Sequence, residues 1–237
     1  MALDDRVVLV TGPTGALGPA VVEQFAAAGA RLGLVGTDLG RLSRLASHAG
    51  LGDDRWLPAV ADLRRAADAQ AAVAAVADRF GHVDVLLHLV GGWVGGTSVV
   101  DLGPDELTGM LDQHLWTTLN IVRVVVPGML TGSWGRIVAI GSRSALEPTA
   151  RVASYAVAKA AEDALLRTLA REIAGTGVTV NLVTVGTIDG AHLRDTEPTP
   201  KNATWTTPEE IAAALLYLCS DDAAAINGAR LPLDRRG

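Results

Sequence analysis

Short apolar runs rich in branched residues alternate along this chain with longer segments whose apolar positions recur every three or four residues. The first run, at 6–11, reads Arg-Val-Val-Leu-Val-Thr, and further runs fall at 29–35, 56–61, 83–90, 135–141, 178–184 and 229–233. Their length and branching mark them as buried strands. The periodic segments between them predict helices: one ending near Ala28, one starting after Asp38, and an Ala-rich one ending at Phe80. A long helix is predicted over 101–129, stopped by Pro127-Gly128, then one over 150–174 and one from Pro208 through Cys219. Strands alternating with helices at this spacing predict an α/β fold with one doubly wound, mostly parallel, seven-stranded sheet and helices on both faces. A length of 237 residues suits a single domain spanning 1–237, with cofactor and substrate sites in the same unit. No repeat, linker or low-complexity tract interrupts the pattern.

Composition narrows the chemistry. Apolar residues make up 49% of the chain, largely as Ala, yet no run approaches the ~18 uninterrupted apolar residues of a membrane span. The start, Met1-Ala2-Leu3-Asp4-Asp5-Arg6, is acidic and lacks the pattern of a secretory signal, so a cytoplasmic protein without membrane association is expected. One cysteine, Cys219, excludes an internal disulfide framework and a Cys-rich metal centre; no metal site is expected. A formal charge of −6 argues against nucleic acid as a partner and leaves a small-molecule substrate.

Two motifs carry chemistry. The first predicted strand runs into Gly12-Pro13-Thr14-Gly15-Ala16-Leu17-Gly18 and then a helix. Strand, glycine turn and helix in that order make a dinucleotide cradle, because the backbone can approach a pyrophosphate and the first-turn N–H groups face it. The second is Tyr155-Ala156-Val157-Ala158-Lys159 on a predicted helix, with Ser142 thirteen residues upstream at the carboxyl end of the fifth strand. Residues four apart on a helix share a face. An ammonium within about 4–6 Å of a phenol favours the phenolate and brings a proton that titrates near 10 into working range. The chain has only two tyrosines and two lysines, which makes this spacing hard to attribute to chance.

With these pieces in this order, the chain resembles the short-chain dehydrogenase/reductase family over essentially its whole length. Further matches are Asp62 after the third strand, Val180-Asn181 in the sixth, and the final stretch Asn227-Gly228 to Leu233-Asp234. The resemblance implies a Ser142, Tyr155 and Lys159 catalytic set. It also implies cofactor contacts at Gly12, Thr14, Gly15, Ala16, Leu17, Gly18, Thr37, Asp62, Leu63, Val90, Gly91, Tyr155, Lys159, Val185, Gly186 and Ile188. The chain departs from the family pattern in several places. One glycine of the first turn is shifted, His88-Leu89-Val90-Gly91 follows the fourth strand, and the helical Asn of the usual tetrad falls on His114. The region between Gly186 and Pro208 is short. These departures, with Gly91-Gly92-Trp93-Val94-Gly95-Gly96, Gln113-His114-Leu115-Trp116 and Trp205-Thr206, are similar to the dihydropteridine reductase branch of the family.

The resemblance implies hydride transfer between a nicotinamide and a carbonyl or imine-type carbon. Ser142 would hold the substrate heteroatom, Tyr155 exchange the proton, and Lys159 bind the cofactor ribose; the other reading of Ser142 is a strand-end serine that bonds its own backbone. Trp93, on a glycine-flanked segment expected to be flexible, offers a platform for a planar substrate or an anchor for a lid or interface. His114 is either an interior histidine or, facing the cleft, a second proton relay titrating near 6.5. His88 and Cys219 read as core. Gly36 and Thr37 leave the usual ribose acid position uncharged and Arg41 lies one helical turn on, which leans towards NADPH and leaves NAD open. Asp38, slightly past the acid position, suits a helix cap. By resemblance the chain is expected to pair as a homodimer or homotetramer through the helices around Trp116 and Tyr155. An NAD(P)-binding protein that has lost catalysis is the competing reading.

Overall fold

A computed structural model describes residues 3–233; Asp234, matched above to the family's last strand, lies outside them. Among the described residues the sheet contains seven strands, all parallel, in the order β3-β2-β1-β4-β5-β6-β7. They are β1 (Val7–Thr11), β2 (Arg31–Gly36), β3 (Trp56–Val60), β4 (Val85–His88), β5 (Gly135–Ser142), β6 (Val178–Val185) and β7 (Arg230–Leu233). Alternate residues of each strand point to opposite faces. Val8 and Val10 therefore join one core with Phe25, Leu42 and Leu215, while Val7 and Leu9 join the other with Val76, Ile121 and Leu166. The helices are shared between the faces accordingly: α1 (Gly18–Ala27), α2 (Leu39–His48) and α8 (Pro208–Cys219) pack on the first. The helices α3 (Ala66–Phe80), α5 (Thr117–Thr131) and α6 (Ala153–Glu172) pack on the second. Strand order reverses between β1 and β4, which opens a crevice at the carboxyl edge of the sheet where ligands bind in this architecture.

The predicted 101–129 helix is three pieces. A short 3₁₀ turn at Val99–Asp101 precedes α4 (Pro104–Leu111), a π-helical turn spans Asp112–Trp116, and α5 follows directly. The wider turn releases carbonyls from the regular ladder, and hydroxyls capture them. Thr117 Oγ1 donates to the Gln113 carbonyl at 2.7 Å and Thr118 Oγ1 to the His114 carbonyl at 2.6 Å. Pro127 does not stop the helix, which runs four residues further to Thr131. Pro127 and Arg123, whose carbonyl loses its partner, are both exposed and lie on the solvent side of the helix. The region after β6 holds one short turn, α7 (Leu193–Thr196), capped by the buried Asp189 side chain, which accepts from Leu193 N and Arg194 N at 2.9 Å each. Among the described residues no helix is long and apolar enough to cross a membrane.

Candidate active site

The glycine turn between β1 and α1 forms one wall of the crevice. Gly12 has φ +70°, and a Cβ there would sit 2.9 Å from the Val90 backbone nitrogen. At Gly18, the first residue of α1, a Cβ would fall 1.6 Å from the Pro13 carbonyl oxygen, so the turn closes only on glycine. A Cβ at Gly15 would meet nothing closer than 3.7 Å, since that residue faces the open cleft. The shifted glycine therefore leaves the two sterically required ones in place.

Two cavities flank this turn and share Gly12 and Val90. The first, about 280 Å³, is lined by Gly12, Gly15 to Gly18, Val90, Gly91, Gly92, Trp93, His114, Ile140, Gly141, Tyr155, Lys159, Val185, Gly186 and Ile188. The second, about 370 Å³, is lined by Thr14, Gly36, Thr37, Asp62, Leu63 and Arg64, with Gly109, Gln113 and Thr117. Every cofactor position expected from the sequence lines one or the other. The sequence reading did not single out Ile140 or Arg64; position on a strand end or beside a motif residue was their only signal.

Tyr155 is half-buried and lies edge-on to the His114 ring, with centroids 5.6 Å apart and planes at 75°. Lys159 is buried, and its Nζ donates to the Ile140 carbonyl at 2.8 Å and to Glu162 Oε2 at 2.7 Å. The wide π turn places His114 in the cavity wall, where Nε2 is 3.0 Å from the Gly92 carbonyl oxygen. A carbonyl only accepts, so Nε2 carries the hydrogen and Nδ1 is the bare nitrogen; it is buried without a hydrogen-bond partner. Burial, aided by the Lys159 charge, pushes His114 down to about 3. Of the two readings of His114, this low value and its full burial favour the interior histidine over a relay titrating near 6.5, although the ring lines the cleft. Burial likewise pushes His88 down to about 3, with Lys159 and His114 adding to the effect. Its Nδ1 lies 2.8 Å from Thr11 Oγ1, joining β4 to β1, in keeping with a core role.

Ser142 makes the local backbone hydrogen bond that is open to a serine at a strand end, and its side chain lines a cavity other than that of Tyr155. Its Oγ accepts the Ser144 N–H at 3.2 Å, capping the 3₁₀ turn that follows β5. It lines an adjoining cavity with Arg143, Leu146, Glu147, Thr184, Arg230 and Pro232, whereas its neighbours Ile140 and Gly141 line the Tyr155 cavity. The hydroxyl that caps the turn as an acceptor retains its own proton for donation. Trp93 is 64% exposed and lies against the Gly95 backbone. The glycine-flanked segment is held by hydrogen bonds at its two ends. Gln113 donates to the Gly91 carbonyl, Gly96 N–H to the Arg151 carbonyl, and Thr97 to Glu106, which also accepts from Ser154 beside Tyr155.

In the second cavity Asp62 is bound by Arg64 at 2.6 Å, and that hydrogen bond holds its carboxyl below the usual range against a partial burial penalty. Asp38 caps α2 by accepting from Arg41 N at 2.9 Å, as its position suggested, while the Arg41 guanidinium donates to the Thr14 carbonyl at 2.7 Å.

Comparison with known proteins matches residues 6–201 to the short chain dehydrogenase family model. A 3-oxoacyl-(acyl-carrier-protein) reductase of Vibrio cholerae serotype O1 is 30% identical over 239 residues, covering 98% of this chain and 96% of that one. A D-threitol dehydrogenase of Mycolicibacterium smegmatis is 33% identical over 252 residues, covering 98% and 92%. Among solved structures, levodione reductase superposes with a TM-score of 0.88 at 27% identity, covering 98% of this chain and 96% of that one. An NADH complex of a 3-ketoacyl-(acyl-carrier-protein) reductase from Brucella melitensis gives 0.88 at 25% identity, covering 98% of each. The steric fit of the glycine turn and the shared cavities suit the nucleotide that such proteins carry. This chain belongs to the short-chain dehydrogenase/reductase family and is an NAD(P)-dependent oxidoreductase.

Proposed function

We propose that this chain transfers a hydride to or from a carbonyl, or an imine-type carbon, of a small planar substrate, with Tyr155 as the proton donor or acceptor. The observation that carries the reading is that Tyr155, Lys159 and the Gly12–Gly18 turn line one cavity at the carboxyl edge of the sheet. When bound, the nicotinamide nucleotide supplies or takes the hydride. The glycine turn and the first N–H groups of α1 hold its pyrophosphate, and Thr37, Asp62 and Leu63 surround its adenosine end. Lys159 would hold the ribose beside the nicotinamide. Lys159 lies one helical turn from Tyr155 and lines the same cavity, where Tyr155 would pass its proton to the substrate oxygen. Ser142, at the end of the strand whose Ile140 and Gly141 line this cavity, would hold the same oxygen by a hydrogen bond and keep its proton. Cofactor and substrate meet within the one domain.

NADPH is the preferred cofactor in this reading, supported by the uncharged Gly36 and Thr37 and by the Arg41 guanidinium beside Thr14. Exposure of Trp93 over the glycine backbone favours an aromatic substrate stacked on its ring, which admits a quinonoid pterin as in the dihydropteridine reductase branch. A homo-oligomer is supported by the exposed Trp116 and Val157 on the outer faces of the π turn and α6.

The test is NADPH and NADH consumption against quinonoid pterins, quinones and aromatic ketones, with Tyr155→Phe as control. Turnover is expected with at least one class, and the variant should lose about 100- to 10,000-fold in kcat/KM while quenching cofactor fluorescence as the parent does. Undiminished turnover in the variant rejects the role of Tyr155. Cofactor binding without turnover across the panel would favour the non-catalytic reading instead.

A further inference from the structure

Beneath the cleft lies a carboxylate that no step above uses. Glu162, three residues beyond Lys159 on the same face of α6, is 1% exposed. Its Oε2 accepts from Lys159 Nζ at 2.7 Å, and its Oε1 lies 3.2 Å from the Thr118 hydroxyl, which also meets the His114 carbonyl. A buried carboxylate is retained at a cost unless a partner compensates it. The same holds for the ammonium of Lys159, whose other partner, the Ile140 carbonyl, carries no net charge.

The groups around the pair come from several elements. On α6, Asp163 is bound by Arg230 of β7, so its charge is matched. From the π turn, His114 Nδ1 lies 3.9 Å from Glu162 Oε2, and from β4 His88 feels the Lys159 charge. Both rings are neutral at pH 7. Burial pushes the Glu162 carboxyl upward, and Lys159 pulls it back as the closest opposite charge. Among the described residues, Glu162 is thus the buried negative charge left to answer Lys159.

We propose that Glu162 is a positioning residue for Lys159: together with the Ile140 carbonyl, its carboxylate clamps the ammonium in the floor of the cleft and keeps it charged there. An ammonium has three N–H donors, and these two partners leave one for the cleft. The inference rests on the reading of Lys159 as the group that meets the cofactor ribose.

The chain's two lysines, Lys159 and Lys201, allow a direct test. In a Lys201→Arg background, lysine labelled with ¹³C at Cε gives one side-chain NMR signal, from Lys159, whose shift follows its protonation. E162Q keeps the volume and an acceptor but removes the charge. The Lys159 signal is expected to pass to its neutral form about one pH unit or more below the parent, and E162D to restore most of that difference. NADPH affinity, read by fluorescence quenching, should match the parent at pH 6 and fall about tenfold once the signal has moved. Coincident titration curves for E162Q and its parent overturn the proposal. If E162Q does not fold, thermal unfolding of K159M/E162Q decides. A folded double variant supports the pairing, because the uncompensated ammonium was the lesion; an unfolded one overturns it in favour of packing. No readout uses a substrate. A protein that binds NADPH and turns over nothing would thus defeat the proposed reaction and leave this pairing standing.

Discussion

Arg41 and Lys159 show how far a single side chain can be judged from its neighbours in sequence. Arg41 follows an uncharged strand end by one helical turn, and the structure sets its guanidinium against the Thr14 carbonyl at the rim of the second cavity. Truncating it should weaken NADPH about tenfold or more while leaving NADH nearly unchanged, because only the former offers a phosphate to a guanidinium. Parallel fluorescence titrations of Arg41→Ala with both nucleotides check this, and equal losses would remove Arg41 from cofactor choice. The Tyr155 and Lys159 pair was legible because i to i+4 spacing on a helix survives any tertiary arrangement. Glu162 was not, although it stands three residues from Lys159: its burial depends on Thr118 and the π turn arriving from another helix. Ser142 was legible as a position at the end of β5, but the direction of its hydroxyl is set by the Ser144 N–H of a turn that sequence spacing does not reveal.

Elements were legible to the extent that their signals are local. The strands fell close to their apolar runs, since fully buried parallel strands need continuous apolar residues. Thr207-Pro208-Glu209-Glu210 starts α8 with a reciprocal box: Thr207 Oγ1 accepts from Glu210 N at 3.3 Å, and Glu210 Oε2 accepts from Thr207 N at 3.0 Å. Thr207→Ala should cost about 1 kcal/mol, read as a lower urea midpoint at constant slope. A change below about 0.3 kcal/mol would mean that Arg194, which also holds Glu210 at 2.8 Å, fixes the helix start by itself. The π turn and the passage of α5 through Pro127 escaped the sequence reading for one reason. Each depends on where the displaced backbone groups fall, beside threonine hydroxyls in the first case and on the exposed side of the helix in the second.

Stability of the whole molecule carries the mark of the two interior histidines. His88 and His114 are each pushed down to about 3 in the folded state, from an ordinary value of 6.5. Between those values the unfolded chain binds protons that the folded chain refuses, so stability is fully present above about 6.5 and is lost as pH falls towards about 3. Each ring contributes up to about 1.4 kcal/mol per pH unit in that window. Urea midpoints followed from pH 7 to pH 4 should therefore fall less steeply for His88→Asn than for the parent. Equal slopes would show that the ring takes up its proton as readily in the fold as in the unfolded chain. His88 was legible as core from its place in an apolar run, whereas the low value for His114 needed the packing of the π turn over the cleft.

The sequence by itself determined the alternation of strands and helices, the glycine turn at the first strand end and the one-turn pairing of Tyr155 with Lys159. Those features rest on backbone sterics and periodicity, which act between near neighbours. Tertiary structure alone decided which groups converge beneath Lys159, which cavity receives the Ser142 side chain and how far His114 is from titrating at neutral pH. Desolvation and hydrogen bonding between distant segments set those outcomes, and both exist only once β1, β4, the π turn and α6 have closed around the same crevice.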